Sequence, residues 1–157
     1  MKILATWDDG GIHDIKVAEL MKKYEIPTIF YWPWDLEKSK NVSRIGKFLT
    51  KKQCQDLAKD FEIGSHTVTH NFLTKIPLQS ARNEIFESKK LWEDFLQKPV
   101  KSLCYPRGYT SSLIKILVKN AGYENARTTV IGHLKPGNDP FGQPTTLHVG
   151  IDRVEYK

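Results

Sequence analysis

Cysteine is scarce in this chain: Cys54 and Cys104 are the only two among 157 residues, and they form neither a Cys-x-x-Cys pair nor a disulfide framework. Such usage suits a reducing compartment, with both thiols expected as small buried apolar residues. No apolar run approaches membrane-spanning length, so no membrane span is expected. Met1 and Lys2 lead straight into the apolar run Ile3 to Trp7, leaving no room for the charged and apolar regions of a secretory leader, and a cytoplasmic location is expected. There is no internal repeat, no low-complexity segment and no composition shift marking a boundary, so residues 1–157 read as one domain. A basic block is missing as well. The net charge is +6 and the pI about 9.2, yet the lysines are spread along amphipathic segments as solvated helix faces. Nucleic-acid binding therefore rests on net charge alone and is not expected.

What is present is an alternation of strand and helix patterns. Ile3 to Trp7 reads as a strand, and Ile12, Ile15, Val17, Ala18, Leu20 and Met21 recur at helical spacing through about Tyr24. Thr28 to Trp32 is the second strand, and residues 33–49 form a long, less regular connection. Thr50 looks like the N-cap of a helix through Leu57 and Ala58. Phe61 to Gly64 is a short strand, and Pro77 to Gln97 a helix turning Leu78, Ala81, Ile85, Phe86, Leu91 and Phe95 inward. Val100 to Tyr105 and Tyr123 to Thr129 read as strands on either side of a helix from Ser111 to Asn120. Residues 132–144, rich in Gly and Pro, read as loop before a last strand from Thr145 to Val149. This order predicts a mainly parallel sheet with helices outside it, in a chain short for a full eight-stranded barrel.

Two stretches carry chemistry. The first strand ends in Asp8-Asp9-Gly10-Gly11, which is either a turn or, at the carboxyl end of a parallel strand, a site. Adjacent carboxylates raise each other's cost of ionising, so one could serve as a base while a cation neutralises the other. The second stretch, Ser65 to Asn71, contains His66 and His70 just after another strand. That spacing brings both imidazoles to one face of a turn and within reach of one metal ion. Together the two rims offer two imidazoles and a carboxylate with open positions left, the makings of a catalytic metal shell.

On these motifs the chain resembles the polysaccharide deacetylase family, also called the NodB-homology or carbohydrate esterase family 4 domain. Thr6-Trp7-Asp8-Asp9-Gly10, His66 to His70, and Cys104-Tyr105-Pro106-Arg107-Gly108 follow in the family's order. The resemblance implies an incomplete, distorted (β/α) barrel and a metal-dependent hydrolase that removes N-acetyl groups from an N-acetylated sugar or polysaccharide. It further implies Asp8 as general base, Asp9, His66 and His70 as ligands of a divalent metal, most often zinc, and the backbone amide of Arg107 as oxyanion donor. Tyr105 and Pro106 are assigned to the substrate groove, and Trp34, on the same rim, to stacking on sugar rings, with Trp32 in the core.

The chain also departs from the family. Members with Arg at the start of the third motif use it to orient the base, where Cys104 stands here. Arg107 replaces a common aromatic, its guanidinium facing either an anionic substrate group or solvent. For the general acid the candidate is His148; His148 and His133 otherwise read as ordinary loop or strand histidines. The final β/α unit of the family pattern is expected to be missing. That loss would uncover a strand edge and an apolar helix face and favour a homo-oligomer. Two alternatives stand beside deacetylation: hydrolysis of another non-peptide C–N bond, and a catalytically impaired metal- and carbohydrate-binding module. His13 and Asp14 read as helix-start residues outside the site.

Overall fold

Thr6 and Trp7 favour extended backbone, and the first strand, β1 (Ala5–Asp8), runs to the paired carboxylates before Gly10 (φ 71°) turns the chain. The computed structural model describes residues 3–39, 46–131 and 135–147. Within them β1 is followed by α1 (Asp14–Lys23), β2 (Thr28–Trp32), α2 (Lys51–Leu57), β3 (Glu62–Ser65), α3 (Leu78–Leu96), β4 (Ser102–Cys104), α4 (Ser112–Asn120), β5 (Asn125–Ile131) and β6 (Gln143–Thr145). The six strands pair in sequence order and all in parallel, as the alternation predicted, and form the incomplete (β/α) barrel that the family resemblance implied. No described helix is long and apolar enough to cross a membrane.

Register decides which side chains share the concave face. Asp8 pairs with Tyr31 and Tyr31 with Gly64, while Cys104 pairs with Arg127 and Arg127 with Gln143. Gly64 is required there by close approach: a Cβ would stand 2.3 Å from the Tyr31 ring. The opposite face is apolar, with Phe30, Trp32, Ile63 and Leu103 buried against the helices. From α3, Ala81, Ile85, Ser88 and Trp92 are buried, a stripe at spacings of three and four. Leu78, expected inward, is 51% exposed at the helix's first residue. Ser88 is tolerated because its hydroxyl meets Ser65 Oγ at 2.8 Å.

Local signals explain most element ends. Thr50 forms a capping box with Gln53, and Ser111 Oγ accepts from the Ile114 amide. At α1 the N-cap His13 makes no side-chain cap, and Asp14 instead accepts a 2.8 Å hydrogen bond from Trp32 Nε1. The last strand lies earlier than expected, at Gln143–Thr145, and contains Pro144; proline is compatible with an edge strand, and β6 ends the sheet order.

Candidate active site

All three chemical motifs leave the carboxyl ends of their strands on one rim. After β1, Asp9 turns into left-handed backbone (φ 77°) with its amide on Tyr31 O at 3.0 Å. The segment around Phe48 straps this turn: Leu49 N donates to Gly10 O, Ile12 N donates to Lys47 O, and Gly11 bridges Phe48. After β3, Thr67 (φ 69°) and His70 (φ 57°) also take left-handed backbone, with Thr67 Oγ1 accepting the His70 amide. A β-branched residue with positive φ is an outlier that surrounding contacts must enforce. Glu84 of α3 supplies them, accepting from the amides of Val68 and Thr69 and from the side chains of Thr69 and Asn71.

These turns bring Asp9 Oδ1 to 3.4 Å from His66 Nε2 and 3.3 Å from His70 Nε2. Asp9 Oδ1 is buried with no hydrogen-bond partner. Donors about 2.1 Å from a common cation at a tetrahedral angle lie about 3.4 Å apart, so the three atoms are spaced as ligands. His66 Nδ1 stands 2.6 Å from Cys104 O; since a carbonyl only accepts, Nδ1 carries a proton, and Nε2 is the nitrogen that faces Asp9 and would yield its own proton to a metal. Residues and geometry thus fit a divalent metal, and Asp9, His66 and His70 are brought together as a potential ligand group.

Electrostatics follow the same arrangement. Burial would raise the Asp9 carboxyl, but the imidazole of His66, itself held well above its usual value and so protonated in the absence of a metal, acts with His70 and Arg107 to hold it below its usual value. For His70, burial and then the His66 charge depress the imidazole to about 4, keeping it neutral as a ligand must be. The Arg107 charge acts on both Asp9 and His70, so this exposed residue at φ 58° flanks the site. Gly108 beside it is packed on β5, where a Cβ would lie 2.6 Å from the Thr129 amide nitrogen.

The concave face adds a partner that the sequence reading did not assign. Arg127 Nη2 lies 2.5 and 2.6 Å from the two carboxylate oxygens of Asp8. Across a flat sheet four strand intervals come to about 19 Å, so this contact exists because the sheet curls until β5 faces β1. A lone arginine within Ala126-Arg127-Thr128-Thr129 was the available signal, since a charge on a buried strand calls for a counter-charge. Cys104, buried as expected, places Sγ 3.6 Å from Asp8 Oδ2 and 3.1 Å from Arg127 Nη2.

Other expectations change. Trp34 does not offer a sugar-facing ring: its indole packs edge-on against Trp92 at 5.0 Å, with Lys51 Nζ 3.3 Å from the ring centroid. Following β2 directly puts its backbone at the rim, whereas its side chain packs with that of Trp32 against Trp92 of the helix layer. Tyr105 and Pro106 are buried, and the Tyr105 hydroxyl donates to Phe141 O at 2.9 Å. They shape the rim through backbone and packing instead of exposing a stacking surface. His148 and His133 lie outside the described residues.

The parallel, incomplete barrel brings two imidazoles and one carboxylate together at its carboxyl rim, a group that could hold a metal ion. The polysaccharide deacetylase family profile matches residues 1–126, and the chain belongs to that family. It is 29% identical over 126 residues to the peptidoglycan-N-acetylglucosamine deacetylase of Bacillus cereus, an alignment covering 78% of this chain and 54% of that protein. The fold is similar to the Streptococcus pyogenes deacetylase PplD in complex with acetate, with a TM-score of 0.78 at 21% identity, covering 90% and 63% of the two chains. A mutant of a carbohydrate esterase family 4 pseudoenzyme, with restored enzymatic activity, is similar at a TM-score of 0.64 and 18% identity, covering 83% and 46%. The chain spans about half the length of the curated relatives it matches.

Proposed function

We propose that this chain is a metal-dependent deacetylase that hydrolyses the N-acetyl group of an N-acetylated sugar or sugar polymer. Zinc is the metal best suited to two imidazoles and a carboxylate with positions left open. The observation that carries the reading is the convergence of Asp9, His66 and His70, with Asp8 next in sequence and fixed by Arg127. A bound divalent cation would supply Lewis acidity to the acetyl carbonyl and to the attacking water.

The remaining work falls to the chain's own groups. His66 and His70 present Nε2 from a loop tied down by Glu84. Asp8 accepts the proton of the attacking water at its carboxylate, which is 24% exposed on the side-chain scale and so reachable. The amide of Arg107, on the turn flanking the site, is the candidate donor to the carbonyl oxygen as negative charge gathers there. The C–N bond breaks as the amine takes up a proton, which Asp8 holds after the first step. Acetic acid and the amine leave, ionising to acetate and an ammonium in water, and the carboxylate is restored.

Acetate release from acetylated chito-oligosaccharides in the presence of zinc tests this. Asp8→Asn is expected to lose at least about 100-fold in turnover, the scale of general-base loss, while retaining zinc affinity by calorimetry. His66→Ala is expected to lose tight zinc binding. Most of the activity surviving in Asp8→Asn would remove Asp8 from the chemistry, and unchanged zinc affinity in His66→Ala would remove the metal site. Tight zinc and sugar binding without turnover would leave a binding module.

A further inference from the structure

Arg127 is 8% exposed in the middle of β5, a place where an unpaired charge would be very costly. Its partners are specific. Nη2 engages both oxygens of Asp8 at 2.5 and 2.6 Å, and Nη1 donates to Thr128 O and Thr145 Oγ1, each at 3.3 Å. The guanidinium carbon lies 5.3 Å from the centroid of the Tyr31 ring, which belongs to the residue paired with Asp8. The charge is therefore fixed on two sides before it reaches the carboxylate. A short contact between ionised groups with both oxygens engaged is among the stronger and more directional hydrogen-bond arrangements.

Cys104 completes the geometry. It is the Cα partner of Arg127 across β4 and β5, so its side chain leaves the same face of the sheet, one strand nearer to β1. Sγ sits 3.1 Å from Nη2, and a longer side chain at 104 would enter the space the guanidinium fills. We propose that Arg127 is the positioning residue of Asp8, delivered from β5, and that Cys104 is the small side chain that leaves room for it. This rests on the reading of Asp8 as the base. A carboxylate has about four lone-pair sites. Nη2 occupies one on each oxygen and Cys104 Sγ, at 3.6 Å, approaches Oδ2. The remaining lone pair of Oδ1 is the one left for the proton of the attacking water. Arg127 acts by holding that oxygen in place and need not touch the substrate.

On this proposal an arginine supplied from position 104 of the neighbouring strand should be able to replace Arg127. The test compares Arg127→Ala, Arg127→Lys and the double variant Cys104→Arg/Arg127→Ala, by steady-state kinetics on acetylated chito-oligosaccharide with zinc and by crystal structures of each. Arg127→Ala is expected to lower kcat about 100-fold, the scale of an ångström-sized misplacement of a catalytic group, with KM within about twofold and zinc affinity unchanged. Added guanidinium ion is expected to recover part of kcat in Arg127→Ala and none in Asp8→Asn. The double variant is expected to regain at least about tenfold over Arg127→Ala, with the Asp8 carboxylate back in place. Should Arg127→Ala not fold, Arg127→Lys keeps the charge and decides by the same split, because one ammonium lacks the planar fork.

Wild-type kcat in a folded Arg127→Ala, or an Asp8 carboxylate that stays in place without Arg127, would overturn the proposal. Should the wild-type protein release no acetate, the deacetylase reading fails by itself. The position of Asp8 in the Arg127→Ala and double-variant crystals still decides whether Arg127 positions it.

Discussion

At the carboxyl rim of the sheet, Asp9, Thr67, His70 and Arg107 all hold left-handed backbone, four of the six non-glycine residues with positive φ among those described. Asp9 Oδ1 and His70 Nδ1 are buried there without hydrogen-bond partners. The helix layer behind the sheet is the reverse. Its α2 and α4 begin on side-chain caps, and Trp92 is fully buried with its Nε1 on Trp32 O at 3.0 Å. Left-handed backbone costs about 1 to 2 kcal/mol per non-glycine residue, so the rim holds donor atoms in place at a cost that the layer must offset. One atom serves both regions: Trp32 O accepts both Trp92 Nε1 and the amide of His66.

The largest effect expected from this contrast lies in the layer. Trp92 touches Trp32, Trp34 and Phe95 at ring-centroid distances of 6.0, 5.0 and 6.2 Å, so Trp92→Ala leaves a cavity that rigid neighbours cannot close. Denaturant unfolding is expected to show a loss of about 3 to 5 kcal/mol, the usual range for a buried Trp or Phe. Activity per folded molecule should stay far above that of Asp8→Asn, which also loses stability because buried Arg127 is left facing a neutral amide. A small stability loss in Trp92→Ala, or activity per folded molecule as low as that of Asp8→Asn, would erase the distinction between the regions.

Asp14 sharpens the comparison because it is a buried carboxyl on the layer side. Burial pushes its pKa up to about 7 from 3.8, the Trp32 hydrogen bond opposes this, and the charges of Asp8 and Asp9 add to it. Between those two values the folded protein holds a proton that the unfolded chain has released. Stability from this group is therefore present below about pH 4 and is lost as pH rises through about 7. At about 1.4 kcal/mol per pH unit the effect is capped at about 4 kcal/mol. Asp14→Asn keeps an acceptor for Trp32 Nε1 and removes the titration. Thermal melts at pH 5 and pH 8 should show the wild type losing stability relative to Asp14→Asn across that interval. Parallel curves for the two proteins would mean that Asp14 is ionised in the fold throughout.

Elements defined by local chemistry were legible from the residues alone. The helix expected from Pro77 to Gln97 is Leu78–Leu96, and Thr50 caps α2 as expected, with Gln53 completing the box. The clustering of Asp9, His66 and His70 was legible because short motifs sit at strand ends, where parallel sheets gather their sites. The stripe of α3 was less so, since Ser88 interrupts its apolar pattern and is buried only because Ser65 answers it from β3. Pro144 disguised an edge strand as loop. Arg127 and Asp8 are 119 residues apart, and nothing local in either predicts a contact made by the curl of the whole sheet. The orientation of Trp34 was hidden for a related reason, because a rim position does not say which side of the sheet a side chain takes.

Glu84 gives the smallest expected effect and the closest test of how the layer serves the rim. Rooted in α3, its Oε2 accepts from the amides of Val68 and Thr69 at 2.8 and 2.9 Å, and its Oε1 from Thr69 Oγ1 at 2.5 Å and Asn71 Nδ2 at 3.3 Å. All these donors lie on the turn that sets His66 and His70 at ligand spacing. A carboxylate can accept from every one of them; an amide cannot, since one of its two ends is itself a donor. In Glu84→Gln either the two backbone amides or Asn71 must face an NH2 group, and the turn loses its enforced left-handed geometry at Thr67 and His70. Zinc affinity is expected to fall about 10- to 100-fold, the range for groups that orient metal ligands. Hydrogen exchange should quicken at the amides of Val68 and Thr69 while the amides of α3 stay protected. Zinc affinity and loop protection both unchanged in Glu84→Gln would show that the turn holds its strained backbone without help from the layer, and the division of labour between the two regions would not extend to this loop.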